Sequence, residues 1–332
     1  MSVKTKLFLV KLLMFFSTVS IFFGVYFEFS KNNILHPERD VTIIAGVDDN
    51  ISVTPVDKDE LNGAGSDVNG NDVLGKDSES FITPDFNINP NYNSNPGLGK
   101  NPLGEANTQL RKKIEESYGI KVKYGSETNG YSVGGMTTSV ISLDEEAYSA
   151  LSNLNYTLSL YPEGFFQEIA ADGYPLTIYL LKKYSIANVT GVTDSTNNNI
   201  VISIATDYSF ADTLHHEVYH YIEKYIFSKG FRFTSWSTLN PAEFVYGTVN
   251  SNFSYSRTYS DKAFFVNNYA QTDEYEDRAS TFEYMMMTNK ASCLSYGNTV
   301  WLKARTMSEQ IDFFFDSVDS STVEYWERHL LY

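Results

Sequence analysis

Within "TLHHEVYHYIEKYI" (213–226) fall three of the chain's five histidines, and two of them, His216 and His220, enclose a glutamate as His-Glu-x-x-His. On a helix, side chains four positions apart lie one above the other, so the two imidazoles project from one face with Cβ atoms about 5–6 Å apart. From there two ring nitrogens can reach a single ion at about 2.0–2.1 Å. Glu217 does not share that geometry, but it can reach a water held by the ion. Two nitrogen ligands with a carboxylate aimed at water are what a zinc hydrolase requires. The competing reading is a helix whose histidines sit on a wet or satisfied core face. His215 points about 100° away around the helix and stands apart from the pair.

A catalytic zinc takes a third protein ligand and leaves a fourth position open. No histidine follows at short spacing; downstream there is only His329. A carboxylate from a second helix is therefore expected, and "NNYAQTDEYEDRASTFEYMMMTNKA" (267–291) supplies candidates. Thr272 or Asp273 can cap that helix, and Ala279, Phe282, Met285 and Met286 form its apolar stripe. Its acids Glu274, Glu276, Asp277 and Glu283 stand as alternatives. Met285 to Met287 read as core, since zinc prefers nitrogen, oxygen and thiolate ligands.

The elements that must position these groups are legible in outline. A helix capped by Asn107 runs to Gly119, and "IKVKYG" then alternates as a strand. A helix from about 143 breaks at Pro162 and resumes. "PLTIYLLKKYS" reads as a strand from its branched and aromatic content. A polar turn leads into the alternating strand Ile200–Ile204, expected to run beside the cleft. Asp207 or Ser209 caps the histidine helix, whose apolar face is Leu214, Val218, Tyr221 and Ile222. Residues 228–265 are expected to wall the cleft, with Phe231, Trp236, Phe244 and Tyr246 as packing or subsite residues. "KARTMSEQIDFFFDSVDSSTVEYWERHLLY" fits two closing helices. The class this predicts is α+β: a small mixed sheet, the His-Glu-x-x-His helix beneath it, and a mainly helical C-terminal lobe.

Composition narrows the partners. A formal net charge of −16 opposes binding to nucleic acid, whose phosphates need Lys and Arg. The single cysteine, Cys293, permits neither an internal disulfide nor a cysteine zinc knot. At the N-terminus Lys4 and Lys6 precede an apolar run from Leu7 to Phe27, and Glu28 follows it. About 20 apolar residues span a bilayer, and the flanking charges set the orientation. The expected organisation is a cytoplasmic tail (1–6), a transmembrane signal-anchor (7–28), a disordered acidic tether rich in Asn, Gly, Ser and Pro (29–106), and a folded domain bearing the candidate zinc site (107–332) outside the cell. Secretion after cleavage of the N-terminal segment is the alternative.

"HEVYH" followed by Tyr-Ala-x-Thr-x-x-x-Glu-Asp-x-Ala from Tyr269 resembles the gluzincin metallopeptidases of the anthrax lethal factor and Pro-Pro endopeptidase type. It is closer to the zinc-binding metallopeptidases anchored on the surface of Gram-positive bacteria. In that group the zinc glutamate sits three residues before an alanine and seven after a tyrosine, offsets kept here by Glu276, Ala279 and Tyr269. The resemblance extends to 234–247 and 324–330. It implies a zincin-like fold with His216, His220 and Glu276 as Zn2+ ligands, Glu217 as general base, and Tyr269 as a donor to the oxyanion. It departs at Ser280, where a second glutamate often stands, so Asp277 or Asp212 is expected to orient a histidine. The function this implies is a membrane-anchored extracellular zinc endopeptidase acting on a protein or peptide substrate. A zinc hydrolase of cell-wall peptides and a non-enzymatic surface adhesin are the alternatives. Nothing in the sequence supports a Pro-Pro preference.

Overall fold

A computed structural model describes residues 101–331 except 197, 207–208, 256–262, 288–292, 295 and 320. The expected anchor and nearly all of the expected tether lie outside the described residues. Among the described residues no helix is long and apolar enough to cross a membrane.

Helix α1 (Pro102–Tyr118) starts ahead of the expected Asn107. Asn101 is the cap, its side chain accepting from Gly104 N at 3.2 Å, and Pro102 fits the first turn, where its missing N–H has no intrahelical partner to lose. Asn107 is instead buried inside the helix, and its amide donates to the Asp144 carbonyl at 2.9 Å. Gly119 closes α1 at φ 66°, a left-handed cap that favours glycine. After β1 (Lys121–Lys123), β2 (Ser132–Val133) and β3 (Met136–Ser139) come α2 (Asp144–Leu158) and α3 (Phe165–Ala171), broken at Pro162 as expected. Four strands follow: β4 (Leu176–Leu181), β5 (Lys183–Tyr184), β6 (Gly191–Thr196) and β7 (Asn199–Ala205).

The main sheet has the order β1-β4-β7-β6. β1, β4 and β7 are parallel, and β6 pairs antiparallel with β7 through the hairpin Thr196↔Asn199, with Thr193 opposite Ile202. The strand expected beside the cleft, β7, is therefore interior; the edge belongs to β6. That strand was not expected, because Gly191, Thr193, Asp194, Ser195 and Thr196 carry no apolar alternation. Its pairing with the apolar β7 sets its conformation. Ile178, Leu180, Ile200, Ile202 and Ile204 are fully buried in one core with α4 (Phe210–Ser228), whose expected face of Leu214, Val218, Tyr221 and Ile222 is buried too. A smaller sheet, β2-β3-β5, packs on the other side with Leu181 and Ala205.

Helix α5 (Glu274–Met286) packs against α4, and α6 (Thr299–Phe314) against α5. The stripe Ala279, Phe282, Met285 and Met286 is buried as core. Of the two closing helices only α6 forms; the second is a short 3-10 turn, Tyr325–Glu327. The intervening Asp- and Ser-rich stretch bonds to its own backbone, as in Ser321 N donating to Asp319 Oδ1 at 2.9 Å, which competes with helix formation. The fold is α+β with a small mixed sheet, the histidine helix against it, and a C-terminal part built on helices and 3-10 turns. This is the α+β arrangement expected from the sequence.

Candidate metal centre

Helix α4 contains no Gly or Pro between Phe210 and Ser228, so its hydrogen-bond ladder carries His216 and His220 on one face. Their ring centroids are 5.1 Å apart, with planes 80° apart. The third candidate arrives from α5. Asp273 caps that helix, its Oδ1 accepting from Tyr275 N at 2.8 Å and Glu276 N at 2.9 Å. The cap fixes Glu276 in the first turn, where the helix dipole favours a carboxylate.

His216 and Glu276 are 60 positions apart in sequence, yet Glu276 Oε2 lies 2.9 Å from His216 Nε2. The same oxygen lies 3.7 Å from His220 Nε2. All three ligand atoms lie within 4.8 Å of one another. Tetrahedral zinc with bonds of 2.0–2.1 Å sets its ligand atoms about 3.3 Å apart. The 2.9 and 3.7 Å separations bracket that value, and two imidazoles with a carboxylate are a zinc donor set. The residues fit the ion.

Electrostatics agree with a site built for a cation. Burial would raise the Glu276 carboxyl, but hydrogen bonds and positive charge from His216 and His220 hold it well below the usual carboxylate range. Burial would likewise lower His216, but hydrogen bonds to Glu276 and Glu283 and the nearby carboxylates push it up to about 10. Without an ion His216 therefore carries a proton at neutral pH, and an incoming metal must displace it. Zinc affinity is expected to rise at least about tenfold per pH unit through the neutral range, with at least one proton released per ion bound. Chelator competition between pH 6 and 8 measures this slope; a flat profile refutes it.

Glu217 is buried beside the cluster, on the side of β6. Thr193 Oγ1 lies 2.6 Å from Glu217 Oε2 and 3.0 Å from the Glu217 carbonyl. Burial raises the Glu217 carboxyl, opposed by the two histidines. Gly191 gives the side chain its space. A Cβ there would lie 2.5 Å from Thr213 Cγ2, 2.8 Å from Glu217 Cγ and 2.9 Å from Glu217 Oε1. Neither Gly191 nor Thr193 was singled out in the sequence, because the strand that bears them had no readable signal.

Tyr269 opens a 3-10 turn, Tyr269–Gln271, ahead of α5, and its ring centroid is 5.8 Å from that of His216. It keeps half its surface exposed. Desolvation and the negative charge of Glu276 and Glu217 raise its phenol, so it remains a hydrogen-bond donor. Buried Gln271 pins the turn, its Oε1 accepting from Asn250 N at 2.7 Å and its Nε2 donating to Ser254 Oγ at 2.6 Å.

The other candidate acids have different work. Asp277 is neither a ligand nor a histidine partner: its Oδ2 accepts from Lys303 Nζ at 2.6 Å, Tyr246 Oη at 2.7 Å and Trp236 Nε1 at 2.8 Å. Trp236 and Tyr246 are thus support beneath α5 rather than subsite walls. Phe231 and Phe244 also pack against the core. Arg278 pairs with Glu223 of α4, both side chains almost fully buried, and also approaches Glu274. Glu283 faces the second nitrogen of His216, with Oε2 3.5 Å from Nδ1. His215 is buried on another face, its Nδ1 2.8 Å from the Tyr161 hydroxyl.

No protein-family model matches the chain, and no curated protein matches it. A solved structure from Bacteroides caccae ATCC 43185, of a protein provisionally named a zinc-binding metallo-peptidase, is similar at 13% identity with a TM-score of 0.48. The match covers 70% of this chain and 93% of that one. At those values it assigns this chain neither ligand nor activity.

Proposed function

We propose that the chain is a zinc-dependent endopeptidase, with His216, His220 and Glu276 holding the ion. The observation that carries this reading is the meeting of those three ligand atoms with the Glu217 carboxylate beside them. Zinc, when bound, polarises a scissile carbonyl and lowers the pKa of water towards about 7. Glu217 takes the proton from the attacking water and returns it to the leaving amine. Its burial raises its proton affinity towards the range a general base needs. The Thr193 hydroxyl fixes one of its oxygens, and the missing Cβ of Gly191 leaves room for the other. Tyr269 donates its phenolic proton in a hydrogen bond to the carbonyl oxygen as that oxygen gains charge.

In this reading the substrate is a protein or peptide outside the membrane. In the same reading the apolar run from Leu7 to Phe27 anchors the chain, and the polar segment between it and α1 tethers the domain to the surface. The test uses the full chain in detergent. It is expected to carry close to one zinc per chain, to cleave members of a mixed peptide library, to lose cleavage with a chelator, and to regain it with zinc. A chain that takes up no zinc, or that cleaves equally well without it, refutes the reading.

A further inference from the structure

We propose that Glu283 is the positioning residue of this centre, accepting a hydrogen bond from His216 Nδ1–H and so holding the ring with Nε2 towards the ion. The inference rests on the zinc reading above. A histidine that ligates a metal through one nitrogen almost always donates from the other to a carboxylate, carbonyl or water, which fixes tautomer and ring orientation. Glu276 faces His216 Nε2 at 2.9 Å, so Nδ1 is the nitrogen left to be held. Glu283 Oε2 is 3.5 Å from it, at ion-pair distance and a few tenths of an ångström longer than a formed hydrogen bond, so a small side-chain shift closes the contact; the two side chains are only 10% and 14% exposed. Few waters can compete at that depth.

The helix register explains why this residue reaches. Positions 276, 280 and 283 fall on one face of α5. Ser280, one turn after Glu276, is fully buried, and its hydroxyl has no hydrogen-bond partner among the described residues. It is too short to do this work. Glu283 lies two turns after Glu276, and its longer side chain returns towards the N-terminal end of the helix, as helical side chains do. One helix thus supplies both a ligand to the ion and the acceptor that orients a ligand on the neighbouring helix.

The test compares the full chain with Glu283→Ala and Glu283→Gln. Zinc affinity is measured by chelator competition, ligand geometry by the visible spectrum of the Co2+-substituted protein, and folding by the melting temperature of the metal-free protein. Glu283→Ala is expected to weaken zinc by about 10- to 100-fold and to change the cobalt spectrum. Glu283→Gln, whose amide oxygen still accepts from Nδ1, is expected to keep most of the affinity and the wild-type spectrum. Wild-type affinity and spectrum in Glu283→Ala overturn the inference while leaving the zinc reading intact. So does an equal loss in both variants that follows a fall in metal-free melting temperature, which assigns Glu283 to packing. A wild-type chain that binds no zinc removes both together.

Discussion

Glu217→Gln is expected to retain zinc near one ion per chain and to lower kcat/KM by at least about 10²- to 10⁴-fold, the usual contribution of a positioned general base. The change is nearly isosteric, and the amide oxygen can still accept from Thr193 Oγ1, so the local packing survives. The amide cannot accept a proton from water at neutral pH. Glu217 is also absent from the group whose ligand atoms converge, so metal content and rate should separate. Metal analysis of the variant beside its cleavage of the peptide library checks both halves. An unchanged rate would place the base elsewhere. Loss of zinc would make Glu217 part of the metal's support.

Asp277→Ala is expected to cost about 3–5 kcal/mol of stability, because it strands a buried charge. Lys303 and Asp277 are both fully buried, and Lys303 Nζ has Asp277 Oδ2 at 2.6 Å and the Phe264 carbonyl at 2.8 Å. Burial pushes the carboxyl up and the ammonium down, and the donors converging on Oδ2 oppose that push. Removing the carboxylate leaves the ammonium with the Phe264 carbonyl but no counter-charge and strips the buried Trp236 N–H and the half-buried Tyr246 hydroxyl of this acceptor, an unmet buried donor costing about 1–3 kcal/mol. The double change Asp277→Leu with Lys303→Met is expected to recover part of the loss, because no unpaired charge remains. Recovery stays partial, since the two aromatic donors are still unsatisfied. Urea unfolding of the metal-free proteins measures both. Equal stability of Asp277→Ala and wild type would show that the pair contributes nothing net. Because Asp277 follows Glu276 on α5, the single variant should also bind zinc more weakly.

What the sequence revealed of this site was what local periodicity determines. His216 and His220 share a face because a helix repeats every 3.6 residues, and nothing distant is needed to know it. Thr272 or Asp273 announced the start of α5 by residue type, and the resemblance to the gluzincin metallopeptidases, carried by the offsets of Tyr269 and Ala279, singled out Glu276 among its acidic neighbours. The interactions that hold these pieces were not legible. Asp277 finds Lys303 and Arg278 finds Glu223 across elements whose packing no single stretch encodes. The role of β6 was hidden for the same reason: a polar strand with no alternation takes its shape from its partner. The start of α1 was misplaced because Asn107 was read as the cap; Asn101, with Pro102 after it, caps the helix instead.

The two residues that follow Glu276 are each clamped by a buried opposite charge, one to α6 and one to α4. The jaws of the centre are thus clasped by the polypeptide's own salt links rather than by the cation between them. Such a cradle does not have to be assembled around its guest. The protein is expected to finish folding first and to be loaded afterwards, so that under the zinc reading proposed above its activity would follow the supply of free ion in its surroundings while its architecture stays the same.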